Sequence, residues 1–117
     1  VLSGLSGIEK DMPKEHKDRM ILESQNRTIS TIYVPCFSLN TILNAINITK
    51  VDYFSLDVEG AEMNVINSLD FENIDIRTLT IEHNGYESRI KELKAFFENT
   101  NYKIEKLDAQ DIYLIKE

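Results

Sequence analysis

Val51-Asp-Tyr-Phe-Ser-Leu-Asp-Val-Glu-Gly-Ala-Glu62 is an apolar run that passes into three carboxylates around one glycine and then into a helical pattern. Val51, Tyr53, Phe54, Leu56 and Val58 form the near-continuous apolar stretch expected of a strand covered on both faces. The polar end of such a strand is where chemistry reaches solvent, and open α/β sheets bind ligands at the carboxyl ends of their strands. Asp57 should end the strand, Gly60 should relieve the backbone at the turn, and Glu62 should fall in the first turn of the next helix. The dipole at a helix N-terminus favours ionised carboxylates, and a glycine lets backbone approach a ligand closely. Glu59 and Glu62 also read as ordinary first-turn acids. Asp57 is the stronger candidate, because a polar residue ending a buried strand has few structural uses.

Upstream of this strand, Leu39, Ile42, Leu43 and Ile46 fall at i, i+3, i+4 and i+7, a helical stripe that Ser38 can cap. Thr28 to Phe37 is β-rich, with Pro35 marking an edge or an exit from a sheet, and Cys36 within it reads as a small core residue. Residues 1–27 read as a loop and a helix: the glycine loop Ser3-Gly-Leu-Ser-Gly7, then Ile8 to Glu23, with Pro13 in its first turn and Met20, Ile21 and Leu22 docking it. The alternating charges of Lys14 to Arg19 suit a solvated helix face, and His16 among them reads as inert.

Downstream, Ala61, Val65, Ile66 and Leu69 give a short amphipathic helix closed by the polar turn Asp70 to Asn73. Ile74 to Ile81 reads as the next strand, and Ile90, Leu93, Phe96 and Phe97 as a third helical stripe. Tyr102 to Leu107 and Ile112 to Ile115, joined by Asp108-Ala-Gln-Asp111, should pair as an antiparallel hairpin. Strands separated by helices indicate a parallel sheet, here finished by an antiparallel strand, so residues 28–117 form an α/β core.

At 117 residues, 42% hydrophobic and 28% charged, the chain suits one small domain with a modest core. A net charge of −7 disfavours nucleic acid and anionic membranes as partners. No apolar run approaches the ~20 residues of a membrane helix, and the start lacks the layout of a signal peptide. The lone Cys36 cannot form an internal disulfide, and the sequons at Asn26 and Asn47 read as chance occurrences in a chain rich in Asn, Ser and Thr. A cytoplasmic location is expected. The missing initiator Met suggests a fragment or a processed chain.

A second polar group, Glu82-His83-Asn84-Gly85, directly follows the strand ending at Ile81. If the two strands are adjacent, Asp57 and the Glu82 to Asn84 group line one crevice that could hold a substrate hydroxyl and take its proton. The spacing equally offers Asp57, Glu82 and Asn84 as oxygen ligands to a hard divalent cation, although no metal is assigned to the chain.

Val34-Pro-Cys-Phe-Ser-Leu39, the signature Leu56-Asp-Val-Glu-Gly-Ala-Glu62 and Ile81-Glu-His-Asn84 together resemble the C-terminal half of FkbM-type S-adenosylmethionine-dependent methyltransferases, from about Thr28 onward. Ser55 departs from the lysine usual at that position. The resemblance implies one side of a Rossmann-like class I methyltransferase sheet with its last strand antiparallel. It further implies S-adenosylmethionine as cofactor, and O-methyl transfer to a small molecule or glycan. Under it, Asp57 and Glu59 would face the cofactor, and Asp57, Glu82 and His83 would act on the acceptor. Glu62 would fix the turn and, with Asn84, border the acceptor. No glycine-rich strand-loop-helix precedes Val34, so a half-domain inactive by itself is implied. Its unpaired strand edge could support a homodimer. The alternative is a non-catalytic α/β interaction or regulatory module.

Overall fold

The computed structural model describes residues 7–10, 12–24 and 28–117. The glycine loop expected over Ser3 to Gly7 lies, apart from Gly7, outside the described residues. Eight elements follow in the order α1 (Lys14–Ser24), α2 (Leu39–Ala45), β1 (Lys50–Leu56), α3 (Glu62–Ser68), β2 (Asp75–Glu82), α4 (Glu87–Phe97), β3 (Tyr102–Leu107) and β4 (Asp111–Lys116). The strands form one mixed sheet in the order β1-β2-β4-β3. β1 and β2 are parallel, and β4 runs antiparallel between β2 and β3. The expected parallel pair and terminal hairpin are both present.

The core is built where the apolar periodicities coincide. Leu79 and Ile81 of β2, Ile112 and Leu114 of β4, Ile66 of α3, and Leu93 and Phe97 of α4 are all buried in one cluster. Phe71, Phe96, Phe97 and Tyr102 close one side of it with edge-to-face contacts. The Tyr102 hydroxyl donates to the Ile76 carbonyl, and burial, with Asp75 adding to it, pushes its pKa up to about 12. Local chemistry fixes the connections. Ser38 caps α2 by accepting from the Thr41 N–H, and Asn47, at φ 55°, ends that helix by sending the Asn47 and Ile48 N–H groups back to the Asn44 and Leu43 carbonyls. Asp70 accepts from the N–H groups of Glu72 and Asn73 after α3, and Asp108 accepts from those of Gln110 and Asp111 in the hairpin turn. Those donors, with Lys106 beside it, hold the Asp108 carboxyl well below the usual range.

Four expectations are corrected. Thr28 to Phe37 forms no strand and lies exposed, with Cys36 exposed rather than in the core. β-propensity needs a partner strand, Pro35 offers no N–H to a ladder, and no strand among the described residues pairs with this segment. The first helix begins at Lys14, after Pro13, whose carbonyl accepts the first helical bond from the Lys17 N–H. Ile21 and Leu22 do not dock it; both are exposed, and the buried residue of α1 is His16. β1 is not covered on both faces but is an edge strand, with Tyr53 59% exposed. No helix among the described residues is long and apolar enough to cross a membrane.

Candidate active site

The β1–β2 register sets Leu56 opposite Ile81, so one residue further on Asp57, just past the end of β1, neighbours Glu82, the last residue of β2. Glu62, from the first turn of α3, joins them. One carboxylate oxygen from each of the three lies within 4.8 Å of the others. Three negative charges cannot share that space freely, and Glu82 absorbs the conflict. Burial first, then the charge and hydrogen bond of Asp57, with Glu59 and Glu62 adding to them, push its pKa up to about 7. Its Oε2 is buried with no donor among the described residues, which is where a proton belongs. At neutral pH Glu82 is therefore poised between its protonated and ionised forms.

Glu62 is 3% exposed and fully engaged. Its Oε1 accepts from the N–H groups of Val58 and Gly60 at 3.2 and 2.9 Å, and its Oε2 lies 3.5 Å from Nη1 of Arg89. Glu59 at φ 52° and Gly60 at φ 110° turn the backbone through this bend. Gly60 also has a steric reason to be glycine, because a Cβ there would fall 2.5 Å from Cδ of Pro13. Glu62 thus ties the backbone of the turn after β1 to the start of α3.

The loop after β2 is held as tightly. The Gln110 carbonyl accepts from the N–H groups of both His83 and Asn84, and Asn84 and Gly85 take positive φ values of 53° and 72°. His83 lies in the interior at 0% exposure, not on the crevice wall. Its Nδ1 accepts from the Gly85 N–H at 3.0 Å, which assigns the ring proton to Nε2, and Nε2 has no partner among the described residues. A dissolved acceptor cannot touch this ring. His83 shapes the loop that carries Asn84.

Over both loops lies α1, leaving a cleft of about 210 Å³ whose walls include Glu59 and Asn84 from the two strand ends, His16 and Arg19 from α1, and Tyr86 and Arg89 beyond β2. His16, expected to be inert, is buried, with Nδ1 3.2 Å from Oε2 of Glu59. Arg89 spans the site: it pairs with Glu62, and its guanidinium lies 5.0 Å over the Tyr86 ring. Sequence reasoning missed Arg89 and Tyr86. A signal was present, since a cation in the first turn of a helix opposes the helix dipole and needs a nearby acid to hold it. Asp57, Glu62 and Glu82 are thus brought together, Glu59 and Asn84 face the cleft beside them, and His83 stands behind. Of the acidic side chains among the described residues, Asp57, Glu62 and Glu82 form the compact trio.

An α/β sheet with an acid pair at the carboxyl ends of adjacent parallel strands defines a domain whose chemistry lies at one edge of its strands. The profile of the Methyltransferase FkbM domain matches residues 4–104, and the chain belongs to that family of methyltransferases. The match reaches upstream of Thr28, through the helix that roofs the cleft, and leaves β4 beyond its end. No curated protein and no solved structure matches the chain significantly.

Proposed function

We propose that the chain carries the acceptor face of an S-adenosylmethionine-dependent methyltransferase acting on a hydroxyl oxygen of a small molecule or glycan. The observation that carries this reading is the Asp57–Glu82 pair. A carboxylate with a pKa of about 7 at a strand end is suited to accept a hydroxyl proton at neutral pH. Asp57 keeps Glu82 in that range through its charge and hydrogen bond. Glu62 and Arg89 set the turn on which Asp57 and Glu59 stand, and Asn84 borders the acceptor.

The methyl donor is a sulfonium cation, and when bound it would supply an electrophilic methyl group. The residues present fit such a group on one side: the acids that raise the Glu82 pKa make the field there negative, with Asp57 and Glu59 as the nearest candidates to face it. No strand precedes β1 among the described residues, so the other side of a donor pocket has to come from elsewhere. In this reading β1-β2-β4-β3 is one half of a Rossmann-like sheet, and β1 is the strand on which the other half builds.

Calorimetric titration of S-adenosylmethionine into this chain and into a form extended upstream tests the reading. Binding by the extended form, with methyl transfer lost in Glu82→Gln, is the expected result. Undiminished turnover in that variant would remove Glu82 as the base. No binding by either form would move the assignment to a non-catalytic α/β module.

A further inference from the structure

We infer that the groove between α4 and the free edge of β3 docks an extended segment of a partner protein, added to the sheet as a short strand and carrying an acidic side chain two residues from an apolar one. This surface shares no residue with the carboxylate trio or its cleft, and the inference is independent of the proposed function.

The main chain is the first observation. β3 pairs with β4 and with no other strand among the described residues. At the open end of the hairpin the Glu117 N–H donates to the Asn101 carbonyl at 2.9 Å, and the register continues with Tyr102 opposite Lys116, Lys103 opposite Ile115 and Ile104 opposite Leu114. Antiparallel ladders alternate bonded and non-bonded pairs, so Asn101 and Lys103 bond to β4 while Tyr102 and Ile104 turn their N–H and C=O groups outward. The Thr100 hydroxyl takes up the Tyr102 N–H. The Tyr102 carbonyl and both backbone groups of Ile104 have no partner among the described residues. A bulge between Ile104 and Lys106 interrupts the edge, so the strand it accepts is short.

Side chains make this edge one wall of a groove. Tyr102 and Ile104 line, with Lys91, Lys94 and Ala95 of α4, a space of about 520 Å³. Its floor is the Phe97 ring against the Tyr102 ring, and Ile104, 36% exposed, opens onto it. An edge strand beside a helix with an apolar channel between them is the geometry of strand addition, in which main-chain bonds supply affinity and alternate side chains supply specificity.

Charge selects the occupant. Lys91 and Lys94 stand about one turn apart on α4 and make no ion pair among the described residues, and Glu98 is the one acid on the groove walls. In a chain of net charge −7 this is a local excess of positive charge, which an acidic side chain answers. A second copy fits poorly, because two-fold pairing of two β3 edges would bring Lys91, Lys94 and Lys103 of both copies along one seam. Residues i and i+2 of a strand share a face, so an apolar side chain on the floor and an acid at the lysines lie two positions apart.

The test is an NMR titration of the 117-residue chain with a peptide blocked at both ends, Thr-Glu-Thr-Val-Thr-Glu-Thr. Three control peptides carry lysine for glutamate, glutamine for glutamate, or methyl groups on the central amide nitrogens. The glutamate peptide should bind with a Kd of about 100 μM and shift the amides of Lys91, Lys94 and Ile104. It should also slow exchange of the Ile104 amide hydrogen about tenfold, by giving that donor an acceptor. Lys91→Glu combined with Lys94→Glu changes two exposed side chains, so the chain should fold as the parent does, yet bind the glutamate peptide about tenfold more weakly and prefer the lysine peptide. The inference is overturned if the glutamate peptide shifts none of those amides at about 2 mM, or if the lysine or glutamine peptide binds the parent chain equally well. Equal binding of the N-methylated peptide would also overturn it, by making the groove a side-chain pocket and not a strand acceptor. A shift of the Ile104 amide with protein concentration alone would overturn it in favour of a second copy at this edge.

Discussion

Replacing Glu82 with Gln removes one ionisation and almost nothing else, and its effect should depend on pH in a definite direction. The Glu82 pKa rises from 4.5 in an unfolded chain to about 7 in the folded protein. A raised carboxyl pKa means that folding favours the protonated form. The stability this contributes is complete below pH 4.5 and is lost as pH climbs through about 7. At about 1.4 kcal/mol per pH unit the full interval corresponds to at most about 3.4 kcal/mol. Glu82 is only partly shielded from water, and screening reduces this to about 1–2 kcal/mol. Urea unfolding at pH 5 and at pH 8 should therefore show the parent losing about 1–2 kcal/mol more than Glu82→Gln over that interval. Near pH 4.5 the two proteins should be nearly equal, and at pH 8 the variant should be the more stable. Parallel stability curves across the whole range would refute the account of an acid raised by burial and by its acidic neighbours.

Three further outcomes are expected. Gly60→Ala places a methyl group against Pro13 at a backbone angle that alanine resists, and should cost about 2–4 kcal/mol in chemical denaturation; a loss below about 0.5 kcal/mol would mean that α1 does not press on this turn. Millimolar magnesium or calcium should leave the thermal midpoint unchanged, because protonation of Glu82 and the pairing of Glu62 with Arg89 already lower the charge of the carboxylate trio; a rise of several degrees would assign the trio to a cation instead. The open edge of β1 should give concentration-dependent dimers in sedimentation, abolished by Tyr53→Lys, since charge on an edge strand blocks pairing; a monomer at every concentration would exclude that edge as a self-association surface.

Legibility in the sequence tracked the range of the interactions involved. The hairpin, the Ser38 cap, the stripe of α4 and the acidic bend after β1 are encoded within a few residues of one another, and each was readable. The adjacency of Asp57 and Glu82 followed once two strand ends were assumed to be neighbours. Thr28 to Phe37 was misread because a strand exists only with its partner, and composition does not say whether one is present. The apolar run of β1 likewise promised cover on both faces that the described residues do not provide. His16 and Arg89 escaped for a third reason: their partners, Glu59 and Glu62, lie far away in sequence, and only the folded backbone brings them together. His83 was the converse case, a residue of reactive type whose neighbours suggested chemistry and whose side chain points into the core.

The helix α1 buries one side chain, His16, which lies against Glu59, and Pro13 just before it sits so close to Gly60 that a Cβ there would clash. The sheet beneath it is held by a continuous apolar core in which α1 has no share. Segments with so few buried contacts open at a small fraction of the free energy needed to unfold the whole domain. Amide hydrogens of α1 should exchange with solvent far sooner than those of β2 and β4, and limited proteolysis should cut there first. The roof of the cleft can then lift while the two strand ends keep their spacing, so the lifetime of a bound ligand is governed by a part of the protein different from the part that governs its stability.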